Sequence, residues 1–171
     1  MRIDFPGGYV RPWLPSDVSA LARLADNRAI WRNLRDAFPN PYAKKDARAW
    51  VRAVTRQIPC QHFAIVLEGG ALAGGIGIIP GSDVHAGTAE IGYWLGEPFW
   101  GRGIMTAVLA AFTGFAFKEF RLRRLSAYVL EWNPASMRVL EKCGYAAEGI
   151  LRKSALKDGT VADEILYARV V

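Results

Sequence analysis

Sulfur chemistry has little to work with in this chain. Only Cys60 and Cys143 carry thiols and no CxxC pair exists, which excludes a disulfide framework and a zinc site of the usual spacing. Histidine is equally scarce. His62 and His85 are the only two, no Ser/His/Asp arrangement is suggested, and both read as structural or surface residues. No metal is expected. Long apolar runs are missing too. The longest, Ile104 to Phe117, is interrupted by Thr106, Thr113 and Gly114 and falls short of the roughly 20 residues that span a bilayer; it reads as a buried helix. The opening Met1 to Gly8 has no apolar stretch of the export type. These absences predict a cytoplasmic protein with no membrane partner. A Walker loop is excluded because no Gly-Lys-Ser/Thr occurs. A dinucleotide fingerprint is excluded as well, since Gly101-Arg102-Gly103 lacks the third glycine and follows three strands instead of opening a βαβ unit.

What is present fits an ordinary globular protein. Apolar residues make up 51% and charged residues 22% of 171 residues, a length that predicts one domain over 1–171. Lys plus Arg number 22 against 16 for Asp plus Glu, a net charge of +6, which favours an anionic ligand without naming it. The cluster Arg121-Leu122-Arg123-Arg124 raises a nucleic-acid partner, but it is short and leads into a strand, so it reads as a solvated rim and no nucleic acid is expected.

Periodicity and turn residues divide the chain. Tyr9 to Leu14 reads as a strand, and Pro15-Ser16-Asp17 opens a helix with Ser16 as its cap. A second helical stretch carries Ile30, Trp31 and Leu34 and ends in the loop Phe38-Pro39-Asn40-Pro41-Tyr42. Residues 44 to 58 are helical again. Strands are predicted over His62 to Leu67, Ala71 to Ile79 and Thr88 to Leu95, the first two joined by a Glu68-Gly69-Gly70 turn. A helix from Gly103 to about Phe120, a strand over Arg124 to Leu130 and a short helix over Pro134 to Cys143 follow. Tyr145 to Arg152 and Val161 to Val170 close the chain as a strand pair. This order makes an α/β protein, a mixed sheet with helices on its faces.

Two segments carry chemistry. In Tyr93-Trp94-Leu95-Gly96-Glu97-Pro98-Phe99-Trp100-Gly101-Arg102-Gly103-Ile104-Met105-Thr106 a strand runs through a glycine-containing turn into a helix. The first N–H groups of a helix lack intrahelical partners and carry partial positive charge, so the turn is a candidate phosphate site; an ordinary glycine-rich turn explains the spacing equally well. In Asn133-Pro134-Ala135-Ser136 the asparagine is a helix N-cap and Pro134 the first helical residue. An exposed helix start also leaves the Asn133 amide and the Ser136 hydroxyl available for a second role.

Together the two segments resemble the GNAT acyl-CoA N-acyltransferase superfamily, whose acyl-CoA loop reads Arg/Gln-x-x-Gly-x-Gly/Ala. Here the loop is Trp100-Gly101-Arg102-Gly103-Ile104-Met105, with Trp and Met at the two ends, a departure usual in the ribosomal-protein N-terminal alanine/serine acetyltransferase-like branch. Val10-Arg11-Pro12-Trp13 with Ser16-Asp17, the Phe38 to Tyr42 loop with Asp46-Ala47 and Trp50, and Ala89 to Leu95 resemble that branch too.

The resemblance implies a GNAT-like mixed, mostly antiparallel sheet with a splayed central parallel strand pair, Thr88–Leu95 and Arg124–Leu130, opened by a bulge. It implies acetyl-CoA as co-substrate. Tyr93, Trp94 and Leu95 would offer backbone to the pantetheine arm, and Trp100, Gly101, Arg102, Gly103, Ile104, Met105 and Thr106 would form the pyrophosphate loop. Asn133 and Ser136 would reach the pantetheine and the sulfur. Glu90 is the candidate base, acting through water; its alternative is a rim carboxylate paired with an arginine. The tyrosine that many members use as the thiolate's acid is replaced by Leu140, which leaves Ser136 as the donor that stabilises the sulfur. Trp31, Asn33, Phe38 and Tyr42 are candidate acceptor contacts. The implied reaction is direct acetyl transfer to a primary amine, at a peptide or protein N-terminus. A small-molecule amine acceptor (polyamine, aminoglycoside or amino-acid-like) and a non-catalytic acyl-CoA-binding module stay open, as does the choice between monomer and homodimer.

Overall fold

Turns and caps break the chain into thirteen regular elements. The computed structural model describes residues 1–171 and contains β1 (Ile3–Phe5), β2 (Gly8–Pro12), α1 (Val18–Ala25), α2 (Arg28–Trp31), α3 (Lys44–Val54), β3 (His62–Leu67), β4 (Leu72–Pro80), β5 (Thr88–Leu95), α4 (Ile104–Glu119), β6 (Arg124–Leu130), α5 (Pro134–Lys142), β7 (Ala146–Lys157) and β8 (Thr160–Val170). One sheet holds all eight strands in the order β1-β2-β3-β4-β5-β6-β8-β7. Every neighbouring pair is antiparallel except β5–β6, whose strands run the same way because α4 carries the chain back between them.

The sheet separates two apolar layers. On one face α4 covers Phe63, Ile65, Ile76, Ile78, Ile91 and Leu125 through Val108, Leu109 and Phe112. Ile104 to Phe117 contains no charged residue, as a helix packed between a sheet and neighbouring segments requires. On the other face α1 and α3 bring Leu21, Ala25, Ala47, Val51 and Val54 against Trp13, Tyr42, Ala64, Val66 and Leu72. Strand alternation sends Ala89, Ile91 and Leu95 of β5 into the first layer, and Thr88, Glu90, Gly92 and Trp94 to the second. No helix is long and apolar enough to cross a membrane.

Several expected boundaries shift for local reasons. A short β1 precedes the expected first strand, folded onto β2 by a turn at Gly7 with φ of +96°. The cap expected at Ser16 is supplied by Asp17. Its carboxylate accepts the Leu14 N–H at 2.8 Å and takes a two-pronged grip from Arg11 at 2.7 and 2.8 Å, which gives the Arg11-Pro12-Trp13…Asp17 pattern a structural purpose. The last hairpin extends past Arg152 to Lys157, because a register shift between Leu151 and Ala155 lets β7 continue along β8.

Candidate active site

The sheet opens between its two parallel strands. β5 and β6 pair at Thr88↔Arg124, Ala89↔Leu125 and Glu90↔Ser126, and there the ladder stops. β5 stays in register with β4 as far as Leu95↔Gly74. The bulge expected in β5 is absent: the β4–β5 register runs without a shift, and the gap opens because β6 diverges toward β8. Hydrogen bonds from Gly96 N–H to Ala73 O and from Gly81 N–H to Thr88 O, both 2.8 Å, set the phase of the ladder. The even-numbered residues of β5 bond to β4, and Ile91, Tyr93 and Leu95 turn their backbone groups toward the gap. This corrects the expectation for Trp94, whose backbone faces Gly75 of β4. It also limits Leu95, whose carbonyl accepts the Trp100 indole N–H at 2.7 Å. Trp100 thereby closes the turn onto the strand.

Beyond Trp100 the backbone forms an open cradle. No backbone N–H from Gly101 to Thr106 donates to another backbone group. Gly101 and Gly103 both sit at φ of +72°, a conformation costly for any residue with a Cβ, and Gly103 is the N-cap of α4. A Cβ at either glycine would meet nothing within 4 Å, so the space in front of the cradle is free. Arg102 is exposed at its edge, and Met105 points into the α4 layer. A row of free N–H groups at a sixteen-residue helix's N-terminus is chemically matched to a phosphate.

Glu90 stands at the last rung before the gap, on the α1–α3 side. Arg35 Nη2 lies 2.5 Å and 2.6 Å from its two carboxylate oxygens, and the Glu90 side chain remains 26% exposed. The carboxylate is therefore both salt-bridged at a rim and open to water beside the gap.

Ser136 lies across the gap on the first turn of α5, where its N–H donates to the capping Asn133 Oδ1 at 3.2 Å. Its hydroxyl is 2.8 Å from that of Tyr93. Tyr93 enters from β5, and burial pushes its phenol above the ordinary range, an effect the Ser136 hydrogen bond partly offsets, so it stays protonated. The sequence gives no sign of this contact, which joins residues 43 apart. Leu140 is fully buried in the α4 layer, so that helix position faces the core and away from the gap.

The expected acceptor residues divide. Phe38 packs on Trp94 with ring centroids 5.6 Å apart and on Tyr42 at 4.7 Å, forming an aromatic wall on the Glu90 side of β5. Tyr42 itself is 6% exposed and belongs to the core; burial pushes its phenol to about 12, and it supports Phe38 from behind. Asn33 donates its side-chain amide to Ala29 O at 3.0 Å, extending α2. Trp31 packs against the Lys157 ammonium, 3.7 Å from its ring centroid. In the Arg121 to Arg124 cluster, Arg123 donates to Ala86 O and Arg124 pairs with Glu148. No group of three His, Cys, Asp or Glu residues is placed to hold a metal.

Known proteins resemble this chain in sequence and in fold. The family model for the Acetyltransferase (GNAT) domain matches residues 9–146. YjcK of Bacillus subtilis is 43% identical over 81 residues, covering 47% of this chain and 45% of that protein. The ribosomal-protein-serine acetyltransferase of Escherichia coli is 36% identical over 84 residues, covering 49% and 48%. The matched stretch thus spans about half the length of these curated relatives. Among solved structures, Mycobacterium smegmatis RimJ in complex with CoA-disulfide superposes with a TM-score of 0.86 at 25% identity, covering 100% of this chain and 86% of that one. With the parallel-strand gap, the glycine cradle and a family match over four-fifths of its length, the chain belongs to the GNAT acetyltransferase family.

Proposed function

We propose that this protein is an acetyl-CoA-dependent N-acetyltransferase whose acceptor is the primary amine of a peptide or protein N-terminus. The observation that carries the reading is the continuity of two open backbone surfaces. The β6-facing edge of β5 suits the amides of an extended pantetheine arm, and the cradle from Gly101 to Thr106 suits a pyrophosphate at the end of that arm. Neither surface is blocked by a Cβ at Gly101 or Gly103. The likeness to the ribosomal-protein-serine acetyltransferase of Escherichia coli supports the acceptor class.

Bound acetyl-CoA supplies the acetyl thioester. Glu90 holds the base position, taking the proton that the attacking amine loses as the new C–N bond forms, directly or through one water. Ser136 donates a hydrogen bond to the sulfur as the C–S bond breaks and charge collects there. Tyr93 orients that hydroxyl through the 2.8 Å contact. Transfer is direct. Cys143, the thiol nearest the cradle, is buried with its thiol pushed up by desolvation and lies 3.4 Å from Thr106 O, the opposite of an activated nucleophile.

Thiol release from acetyl-CoA, followed across N-terminal peptides, polyamines and aminoglycosides, tests the proposal. Turnover confined to peptide amines is the expected result. Turnover confined to polyamines or aminoglycosides overturns the acceptor class, and none with any amine overturns the activity.

A further inference from the structure

A cavity of about 210 Å³ opens between α2 and the β7–β8 turn, lined by Arg28, Arg32, Trp132, Lys157, Asp158 and Thr160. Lys157 is unusual among them: its side chain is 4% exposed. Its ammonium is held 2.6 Å from Asp36 Oδ1 and 3.7 Å from the Trp31 ring centroid. A buried ammonium is costly unless so partnered, and the partners fix it in place. Arg28 pairs with Asp158 at the mouth. Arg32 has no carboxylate partner; its guanidinium lies 5.9 Å from the Trp132 ring, whose indole N–H is buried without an acceptor. Three cations against Asp158 and Asp36 leave one positive charge uncompensated, on Arg32.

Both walls of the cavity run straight into the proposed centre. Three residues after Arg32, Arg35 grips Glu90. The residue after Trp132 is Asn133, the cap of α5 at Ser136. Three residues of chain reach no further than about 10 Å. An extended peptide with its amine at Glu90 advances about 3.3 Å per residue, which brings its second to fourth side chains within reach of the cavity.

We propose that this cavity is an acceptor subsite for a carboxylate, and that the preferred acceptor is a peptide with an acidic side chain within three residues of the acetylated amine. The subsite rests on the N-acetyltransferase reading for the identity of the amine, but its ligand chemistry follows from the lining alone. A carboxylate entering it gains Arg32 and the neighbouring donors, while a neutral isostere leaves the guanidinium without a counter-charge.

The test uses the full chain and two peptide pairs. By calorimetry, N-acetyl-Ser-Glu-Glu-Ala amide should bind about tenfold more tightly than N-acetyl-Ser-Gln-Gln-Ala amide, the difference expected of a charge-assisted contact. Arg32→Ala should abolish that ratio and Arg32→Glu should invert it; Arg32 is exposed, so neither substitution disturbs the core. With the corresponding free-amine peptides the same ratio should appear in kcat/KM, carried by KM. Equal binding of the two acetylated peptides to the wild type, or a preference that survives Arg32→Glu, overturns the subsite. An Arg32-dependent binding preference without turnover of any peptide supports the subsite and instead refutes the N-acetyltransferase reading.

Discussion

Replacing Ser136 by alanine perturbs stability and chemistry through the same atom. The Oγ removed is the partner of the Tyr93 hydroxyl at 2.8 Å, and only the longer contact to Ser136 O at 3.4 Å remains. A half-buried phenol deprived of its partner costs about 1–3 kcal/mol. Tyr93→Phe removes the other half of the pair and costs about 1 kcal/mol. The double variant leaves neither group unsatisfied, so its loss should fall short of the sum by about 1 kcal/mol. In a chain of this size each 1 kcal/mol moves Tm by roughly 2–4 °C, which thermal melts of the four proteins resolve. Chemistry follows a different order. A hydrogen bond to developing charge in a preorganised site is worth about 10²–10³ in rate; thiolate is a soft acceptor, so Ser136→Ala should lose about 10² or less. Tyr93→Phe keeps the donor but loosens it and should lose less. Single-turnover thiol release, with enzyme in excess over acetyl-CoA and the amine saturating, reads the step directly. A Ser136→Ala chemical rate equal to wild type would mean that solvent alone serves the sulfur. Strict additivity of the three melting shifts would mean that the Tyr93–Ser136 contact carries no energy.

Other expectations follow from the same geometry. Glu90→Gln should lower kcat/KM most at low pH, where the amine is mainly protonated, and leave acetyl-CoA affinity near wild type; an unchanged pH–rate profile makes Glu90 a rim partner of Arg35 only. Gly103→Val forces a β-branched residue to φ of +72°, a strain of about 1–2 kcal/mol. Its Cβ meets no other atom within 4 Å, so the fold should survive while calorimetry shows weakened acetyl-CoA binding; unchanged affinity in the folded variant removes the cradle from the cofactor site. His62 is held below its ordinary pKa by burial. The unfolded chain therefore takes up the proton first, and stability that is complete above about pH 6.5 should decline as pH falls toward the lower folded-state value. Urea titrations at pH 7.5 and 5.5 should show this component in the wild type and not in His62→Gln.

Local chemistry made much of this protein legible in the amino-acid sequence alone. Apolar runs of strand length bounded by turn residues place His62–Leu67, Thr88–Leu95 and Arg124–Leu130 at their observed ends. The glycines at 101 and 103 mark the cradle because positive φ and a bare helix start are properties of adjacent residues. The short β1 escaped, since three residues become a strand only when β2 folds back on them, and the extension of β7 to Lys157 depends on a register shift that β8 stabilises. The site's electrostatics lay further from reach. Arg35 meets Glu90 across 55 residues, Tyr93 meets Ser136 across 43, and Lys157 meets Asp36 across 121. No periodicity encodes such pairs. They exist because β6 diverges from β5 while α2, α5 and the β7–β8 hairpin converge on the same end of the sheet, and that convergence is a property of the packed layers alone.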